Sequence, residues 1–529
     1  MIKIFKKNRF LFIIGLLGFI LIFTNLGNRY ITGDEALTTT ISKNIIDYGY
    51  PAARYDESGP LIIAKSGAYT EINGKDYYTW NSWLEYYLPV IPLKLFGLNE
   101  FALRLFFAVF GFLSIFLFYL LSKKITHNIR IVQISTLLLT LSVPFILHVR
   151  QIRWYSLVIF GSIWLLWSYL TFLDKRKAGS LHLILSTVFL FYSNFFILVA
   201  VVFCLAIHFF FLKHYKTNWK RLILPTIISF CLTFPWIVFT GQISSKGEYV
   251  GFSFTKFILN LVIINYYIFI FIFPLFLGLL FFFFKKKSLL KEFRNKNYLL
   301  ILIFIIGYVF FLSLKMDGLP GIRYLLILIP PLSLVSGFII YKIKEKNKFI
   351  AYALIILLIG TNFLHLFPFF FLKGFTNNIN SDLITDYEKE HFIDNSLKVR
   401  YFFFDYLYEI SHDYDSSDEL IINYLQKYGS PEDTFIASDF PQPILLYTNM
   451  KMVDFNSSKV DWIVVRGFKV REDKTQRFID DLKQNIDLSR YKTIIIDSLE
   501  ERWAEAPDPA NHRFETNKNG KIIIYHLKE

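Results

Sequence analysis

The chain has 529 residues, is 54% hydrophobic with 60 Phe and 32 Tyr, and carries a formal net charge of +15. Crossing the hydrocarbon core of a bilayer takes about 20 apolar residues in a helix, and the sequence offers such runs repeatedly, which excludes an ordinary soluble protein. The charge distribution excludes a nucleic-acid footprint: residues 1–373 hold 38 Lys/Arg and 14 Asp/Glu, whereas residues 374–529 hold 19 and 28, so the basic excess sits in the apolar part and the tail is acidic.

In chain order, MIKIFKKNRF leads into an apolar run that ends at Leu26 without a convincing small-residue cleavage site. It predicts an uncleaved first helix over about 10–26. A long polar segment follows, 27–100, rich in acids and aromatics. Its later part, WLEYYLPVIPLKLFG, is apolar but interrupted by Pro89, Pro92 and Gly97, which predicts a helix lying at the membrane interface rather than a span. Continuous apolar runs then predict helices over about 101–121, 131–149, 155–173, 181–193, 195–212, 222–239, 262–284, 298–314, 324–341 and 349–371, eleven in all with the first. The runs do not alternate, so helices rather than a β-barrel satisfy the backbone in lipid.

With the N-terminus in the cytoplasm, segments 3–9, 122–130, 174–180, 213–221, 285–297 and 342–348 fall inside. Together they carry 24 Lys/Arg against three acids, Asp174, Glu292 and Glu345. That is the positive-inside pattern, and an odd helix number leaves the tail outside. In the tail, TFIASD, DWIVVR, KTIIID and KIIIYHL predict buried strands, while SSDELIINYLQKY and TQRFIDDLKQNI predict amphipathic helices. Residues 376–415 receive no assignment. The expected fold is a multi-pass α-helical membrane domain, residues 1–373, followed by an external soluble α/β domain, residues 374–529.

Cys204 and Cys231 both fall in apolar runs and the tail has no cysteine, so no disulfide braces it. His148, His208 and His365 do not pair at metal-ligand spacing, and neither a phosphate-binding loop nor a GxSxG elbow is present. No cofactor is indicated; a divalent metal is left open with no ligand set identified. Asn456-Ser457-Ser458 fits a glycosylation acceptor by pattern.

Asp34 and Glu35, in ITGDEALTTTISKNII, lie a few residues beyond the first helix. Adjacent carboxylates there have two roles open: a general base at the membrane surface, or a cap on the helix that follows. Arg150 and Arg153 in HVRQIRWYSL stand on the outside, against the charge trend. With Arg104 and Arg323, which lie near other outer helix ends, they form a candidate ring around an anionic lipid headgroup; snorkelling anchors are the alternative. Trp80, Trp83, Tyr86 and Tyr87 fit either stacking on a sugar ring or interfacial anchoring.

Four stretches together resemble the GT-C membrane glycosyltransferases, in particular the dolichyl-phosphate-mannose protein mannosyltransferases and the bacterial aminoarabinose transferase of lipid A. They are GDEALTTTISKNIIDYGYP after helix one, LKLFGLNEFALRLFFAVFG into helix two, RQIRWYSL after helix three and RYLLILIPPLSLVSG in a late helix. The resemblance covers about residues 10–340; in the tail, the stretch from Trp503 through Pro507-Asp508-Pro509 to His512 is suggestive only. It implies a sugar carried on a polyprenyl phosphate and an acceptor (lipid, protein or polysaccharide) that attacks its anomeric carbon at the outer face of the cell membrane. It implies Asp34 as base, with Glu35 orienting or capping. Arg150, Arg153, Arg104 and Arg323 are then candidates for the donor phosphate. Trp80, Asn81, Trp83, Glu85 and Tyr155 are candidates for sugar or acceptor contacts. Two departures stand out: Trp80-Asn81-Ser82 aligns where related enzymes often carry a Lys or His followed by Pro, and Tyr155 aligns where others carry an acid. A transporter of a lipid-linked substrate and a non-catalytic scaffold are the competing classes. Nearly absent mid-span acids argue against the first, and the paired acids of the first loop against the second.

Overall fold

The structure is a computed structural model that describes residues 9–55, 60–62, 68–176, 178–213, 215–241, 253–283, 296–315, 322–370, 399–412, 416–438, 441–455, 457, 459–466, 472–498 and 520–528. Asn456, Ser458 and the stretch from Trp503 to His512 lie outside the described residues.

Helix α1, Arg9–Phe23, is followed by α2, Gly33–Tyr48. Asp34 and Glu35 occupy the first turn of α2, where carboxylates suit the helix dipole. Thr32 is the N-cap but makes no side-chain capping bond, and Gly49 closes the helix at φ 82°, a left-handed conformation suited to glycine. The Thr run of α2 is buried, yet its hydroxyls are satisfied: Thr38, Thr39 and Thr40 donate to the carbonyls of Asp34, Glu35 and Ala36, one turn back. The rest of the first loop is a hairpin, β1 Tyr69–Ile72 with β2 Lys75–Tyr78, then two short helices, α3 Leu84–Tyr87 and α4 Val90–Phe96. The interfacial segment is therefore two helices, broken where Pro89 caps α4.

Helix α5, Glu100–Thr126, starts where the Asn99 side chain accepts from Ala102 N–H and packs along α1. Helices α6 (Ile129–Thr140) and α7 (Val143–Val149) form one apolar stretch bent by 58°. Next come α8 (Trp154–Leu173), α9 (Gly179–Ser193), α10 (Phe195–Phe211) and α11 (Tyr215–Thr240). Helix α12 (Phe254–Tyr267) continues as a π-helical turn to Ile272; then follow α13 (Leu275–Phe283) and α14 (Lys296–Lys315). A 3₁₀ turn, Ile322–Leu328, leads into α15 (Ile329–Lys346), and α16 (Lys348–Gly360) meets α17 (Phe363–Phe370) at a bend of 92°.

Among the described residues, six helices are long and apolar enough to cross a membrane, or up to eight if each bent pair is one span. The chain is a multi-pass membrane protein, and eleven crossings are not reached on this count. The reasons are local. The break expected between 193 and 195 is present, with Asn194 capping α10 through its side chain, but α9 and α10 have only 15 and 17 residues, short for a span. The run expected over 262–284 instead starts at Ser253, whose side chain caps α12, and breaks at Phe273-Pro274, ahead of a residue that has no N–H to give.

Small residues let the bundle close. A methyl group on Gly337 of α15 would clash with Ser135 Oγ and stand 2.9 Å from its backbone nitrogen on α6. We predict that Gly337→Ala destabilises the purified protein by about 1–3 kcal/mol, the usual cost of overpacking. Gly278→Ala, whose methyl would meet only Phe273 at 3.7 Å, is the control and should be silent. Equal thermal midpoints for the two variants would refute this packing argument.

The tail joins the bundle and then forms its own sheet. Helix α18, Phe402–Glu409, buries Tyr406 in the membrane core, where its hydroxyl donates to the Leu21 carbonyl of α1. From Ser416 onward lie α19 (Ser417–Tyr428), β3 (Thr434–Ala437), α20 (Gln442–Thr448), β4 (Lys451–Met452), β5 (Trp462–Arg466), α21 (Glu472–Asn485), β6 (Tyr491–Ser498) and β7 (Gly520–Leu527). The sheet order is β4-β3-β5-β7-β6, parallel through β5 and antiparallel beyond it. Buried Trp462, Phe435, Ile421 and Ile524 fill one side of the sheet, and Arg466 pairs with Asp418 in the interior.

Candidate active site

The two first-loop carboxylates part company. Glu35 turns inward: its side chain is buried and paired with Arg104 of α5, with contacts of 2.7 and 3.0 Å, and it accepts from Ile152 N–H at 2.9 Å. Arg104 spends its remaining donors on the carbonyls of Leu26, Arg29 and Tyr30. This pair ties the end of α1, the start of α2 and the α7–α8 corner to one point.

Asp34 turns the other way and is 38% exposed at its side chain. Its Oδ2 lies 3.1 Å from Arg323 Nη1 and 3.7 Å from Arg153 Nη2. Arg323 comes from the 3₁₀ turn before α15 and Arg153 from the residue before α8, so two separate elements bring cations to one carboxylate. Arg153 is buried and also donates to Thr38 Oγ1 at 2.9 Å. Its Nη1 lies 3.9 Å from Glu85 Oε2. Burial alone would lower the pKa of Arg153, but Asp34 and Glu85 outweigh it and hold the guanidinium more firmly protonated than usual.

Glu85 has no exposed surface. It accepts from Asn81 Nδ2 at 2.8 Å and from Trp154 N–H at 3.1 Å. Burial pushes its carboxyl above the usual range, while Arg153, Asn81, Tyr86 and Trp154 pull it back. Glu85 thus reaches from the first loop to the start of α8, beside Tyr155.

The four arginines expected at outer helix ends do not form one ring. Arg153 and Arg323 face Asp34, whereas Arg104 faces Glu35. Arg150 closes the C-terminal end of α1, donating to the carbonyls of Leu21, Ile22, Thr24 and Asn25. Tyr155 is buried, with its ring 6.0 Å from the Arg153 guanidinium carbon. Trp83 donates to the Tyr78 carbonyl and packs edge-on against Trp236 and Phe239 at the end of α11. Trp80 is half-buried in the small core of the first loop, and Asn81 is taken up by Glu85. Sequence reasoning missed Thr38, buried beside this cluster; Tyr86, expected to stack on a sugar or to anchor at the interface, is buried there too. Thr38 stands one turn beyond Asp34 and so shares its helix face, a signal that was there to read. Among the described residues, no three His, Cys, Asp or Glu side chains gather as a metal site.

No protein-family model and no curated protein matches the chain. Solved structures do. ArnT from Cupriavidus metallidurans bound to undecaprenyl phosphate aligns with a TM-score of 0.58 at 12% identity, covering 98% of each chain. The same protein in the apo state gives 0.54 at 13% identity, again over 98% of each chain. The archaeal oligosaccharyltransferase AglB from Archaeoglobus fulgidus, in complex with an inhibitory peptide and a dolichol-phosphate, gives 0.48 at 14% identity over 87% of this chain and 69% of that one. The ArnT likeness spans membrane bundle and tail alike, so the chain has the GT-C fold of membrane glycosyltransferases.

Proposed function

We propose that this chain is an integral membrane glycosyltransferase that moves a hexosyl or pentosyl unit from a polyprenyl-phosphate donor to an acceptor at the outer face of the cell membrane. The observation that carries the reading is the Asp34 carboxylate, partly exposed and flanked by Arg323 and Arg153. An acceptor hydroxyl attacks the anomeric carbon and its proton goes to Asp34. The bond from that carbon to the phosphate oxygen breaks, and polyprenyl phosphate leaves as an anion that needs no protonation. Two guanidiniums beside the base supply the cations that such a leaving group requires. Arg104 and Arg150, whose donors are engaged within the protein, act in this reading as scaffold for the first loop. The accompanying topology has the N-terminus in the cytoplasm and the tail outside, supported by the Lys/Arg bias of the short segments.

A strain lacking the chain should accumulate one polyprenyl-phosphate sugar and lose that sugar from an envelope acceptor, both read by mass spectrometry. If neither changes, the reading fails. At the residue level, Arg323→Gln should weaken binding of undecaprenyl phosphate to the purified chain about tenfold, the loss of one charge-assisted hydrogen bond. A tryptophan-fluorescence titration measures this; an unchanged dissociation constant removes Arg323 from the phosphate.

One observation favours a second reading, transport of a lipid-linked substrate. A cavity of about 90 Å³ lies among the bends at Leu141-Ser142, Ile270–Pro274 and Thr361-Asn362, with Ser333, Ser336 and His365 also lining it. Broken helices around a polar cavity are a feature of transporters. Among the described residues, no Lys, Arg, Asp or Glu lines this cavity to hold a phosphate, which leaves transfer as the better-supported reading.

A further inference from the structure

The segment that presents Asp34 is held from one side by the membrane domain and from the other by the tail. On the membrane side, Arg104 takes the Tyr30 carbonyl at 3.1 Å. On the tail side, Tyr447 of α20 accepts from Ile31 N–H at 2.7 Å through its hydroxyl, which donates to Glu100 Oε1 at 2.8 Å. Its ring stacks on Tyr30, 4.5 Å between centroids and 16° from parallel. Glu419 of α19 accepts from Tyr30 N–H at 3.0 Å. That glutamate is fixed in turn by a capping box with Ser416. Leu446 adds its side chain to a small buried core with Ile31, Ala36, Leu103 and Phe107. Beyond Ile31 the chain makes the Thr32 cap, passes Gly33 at φ 50° and reaches Asp34.

We infer that Tyr447 is a positioning residue for the reaction: through the Ile31 amide and the Tyr30 ring it sets the backbone from which Asp34 projects. The tail then belongs to the machinery that aims the base and is not a separate binding module. The inference rests on the transfer reading given above. Its physical basis is that two consecutive amides, those of Tyr30 and Ile31, are held by side chains 389 and 416 residues away. Without those acceptors, both amides lose their bonds, and the turn before α2 is left with side-chain and carbonyl contacts, among them those of Arg104, the Arg29–Glu409 pair and the Tyr30 hydroxyl on Asn423. A carboxylate shifted by a fraction of an ångström loses alignment with the acceptor hydroxyl, an effect on turnover rather than on donor binding.

The test is Tyr447→Phe in the full-length purified chain, which removes the hydroxyl and keeps the ring. Hydrogen exchange is followed by mass spectrometry. Turnover is measured with the glycolipid accumulated by the deletion strain, and Asp34→Asn is the reference. We expect amide exchange over 30–36 to rise about tenfold, as loss of one hydrogen bond allows, while 417–428 and 462–466 exchange as in the parent. We expect kcat to fall about tenfold with KM for the glycolipid within about twofold. The inference is overturned if exchange over 30–36 is unchanged, or if it rises and kcat does not fall. Retained turnover in Asp34→Asn would instead overturn the transfer reading, and the exchange result still decides whether Tyr447 holds the segment.

Discussion

Asp34→Asn should reduce sugar transfer by about 10²–10⁴-fold, the usual contribution of a general base, while the protein still inserts and purifies like the parent. The amide has the shape of the carboxylate and can still accept from Arg323, so the local structure has little reason to change. Its side chain is 38% exposed, and losing an exposed charge costs little folding energy. What disappears is the capacity to take a proton from the acceptor. The expected signature is a loss of kcat with donor binding retained, since Arg153 and Arg323 remain and are freed of a counter-charge. Transfer at the parental rate would remove Asp34 from the chemistry.

Glu35→Ala should have the opposite profile, a failure of folding. It strands Arg104 in the interior without its counter-charge and leaves Ile152 N–H without its acceptor. Breaking a buried pair by removing one partner costs about 3–5 kcal/mol, a large share of the stability of a typical domain. The checks are yield after detergent extraction and the thermal midpoint of what is recovered. Replacing both Glu35 and Arg104 by Met should restore much of the loss, because the charge and its partner leave together. A Glu35→Ala protein with the parental midpoint would show that the pair does not hold the loop.

Neighbouring acids thus have different surroundings; the resemblance implied different roles for them, but the residues alone left both roles open to each. Asp34 and Glu35 are adjacent, but a helix rotates successive side chains by about 100°, so one faces the core and the other the outer surface. Which is which depends on Arg104 and Arg323, 69 and 289 residues away. The same limit applies to the arginines: composition placed four near outer helix ends, but only tertiary structure divides them between Asp34, Glu35 and the carbonyls of α1. What could be read was local. Apolar runs mark the helices, the Gly-Asp-Glu stretch marks the start of α2, and alternating strand and helix patterns mark β3, β5, β6, β7, α19 and α21 in the tail. The break at Pro274 was harder, because it interrupts a run whose hydropathy stays high across it, whereas the break at Asn194 was expected between the helices over 181–193 and 195–212.

The arrangement also accounts for a tail that has no disulfide and yet joins the site. Beyond its own core, the tail is held by contacts with the first loop: Gln442 donates to Tyr55, Lys43 to Asn449, and Tyr447 reaches Glu100 at the start of α5. Loop and tail are mutually ordered, so a change in either is expected to reach Asp34.

The most direct test of the whole account is to follow the donor. Purified full-length protein in sealed liposomes is given the glycolipid from the deletion strain together with an envelope extract as acceptor, and the lipid products are weighed by mass spectrometry. The account predicts one polyprenyl phosphate released for each sugar transferred, with release dependent on acceptor and lost in Asp34→Asn. Glycolipid that crosses the bilayer with its sugar still attached, and no free polyprenyl phosphate, would contradict it.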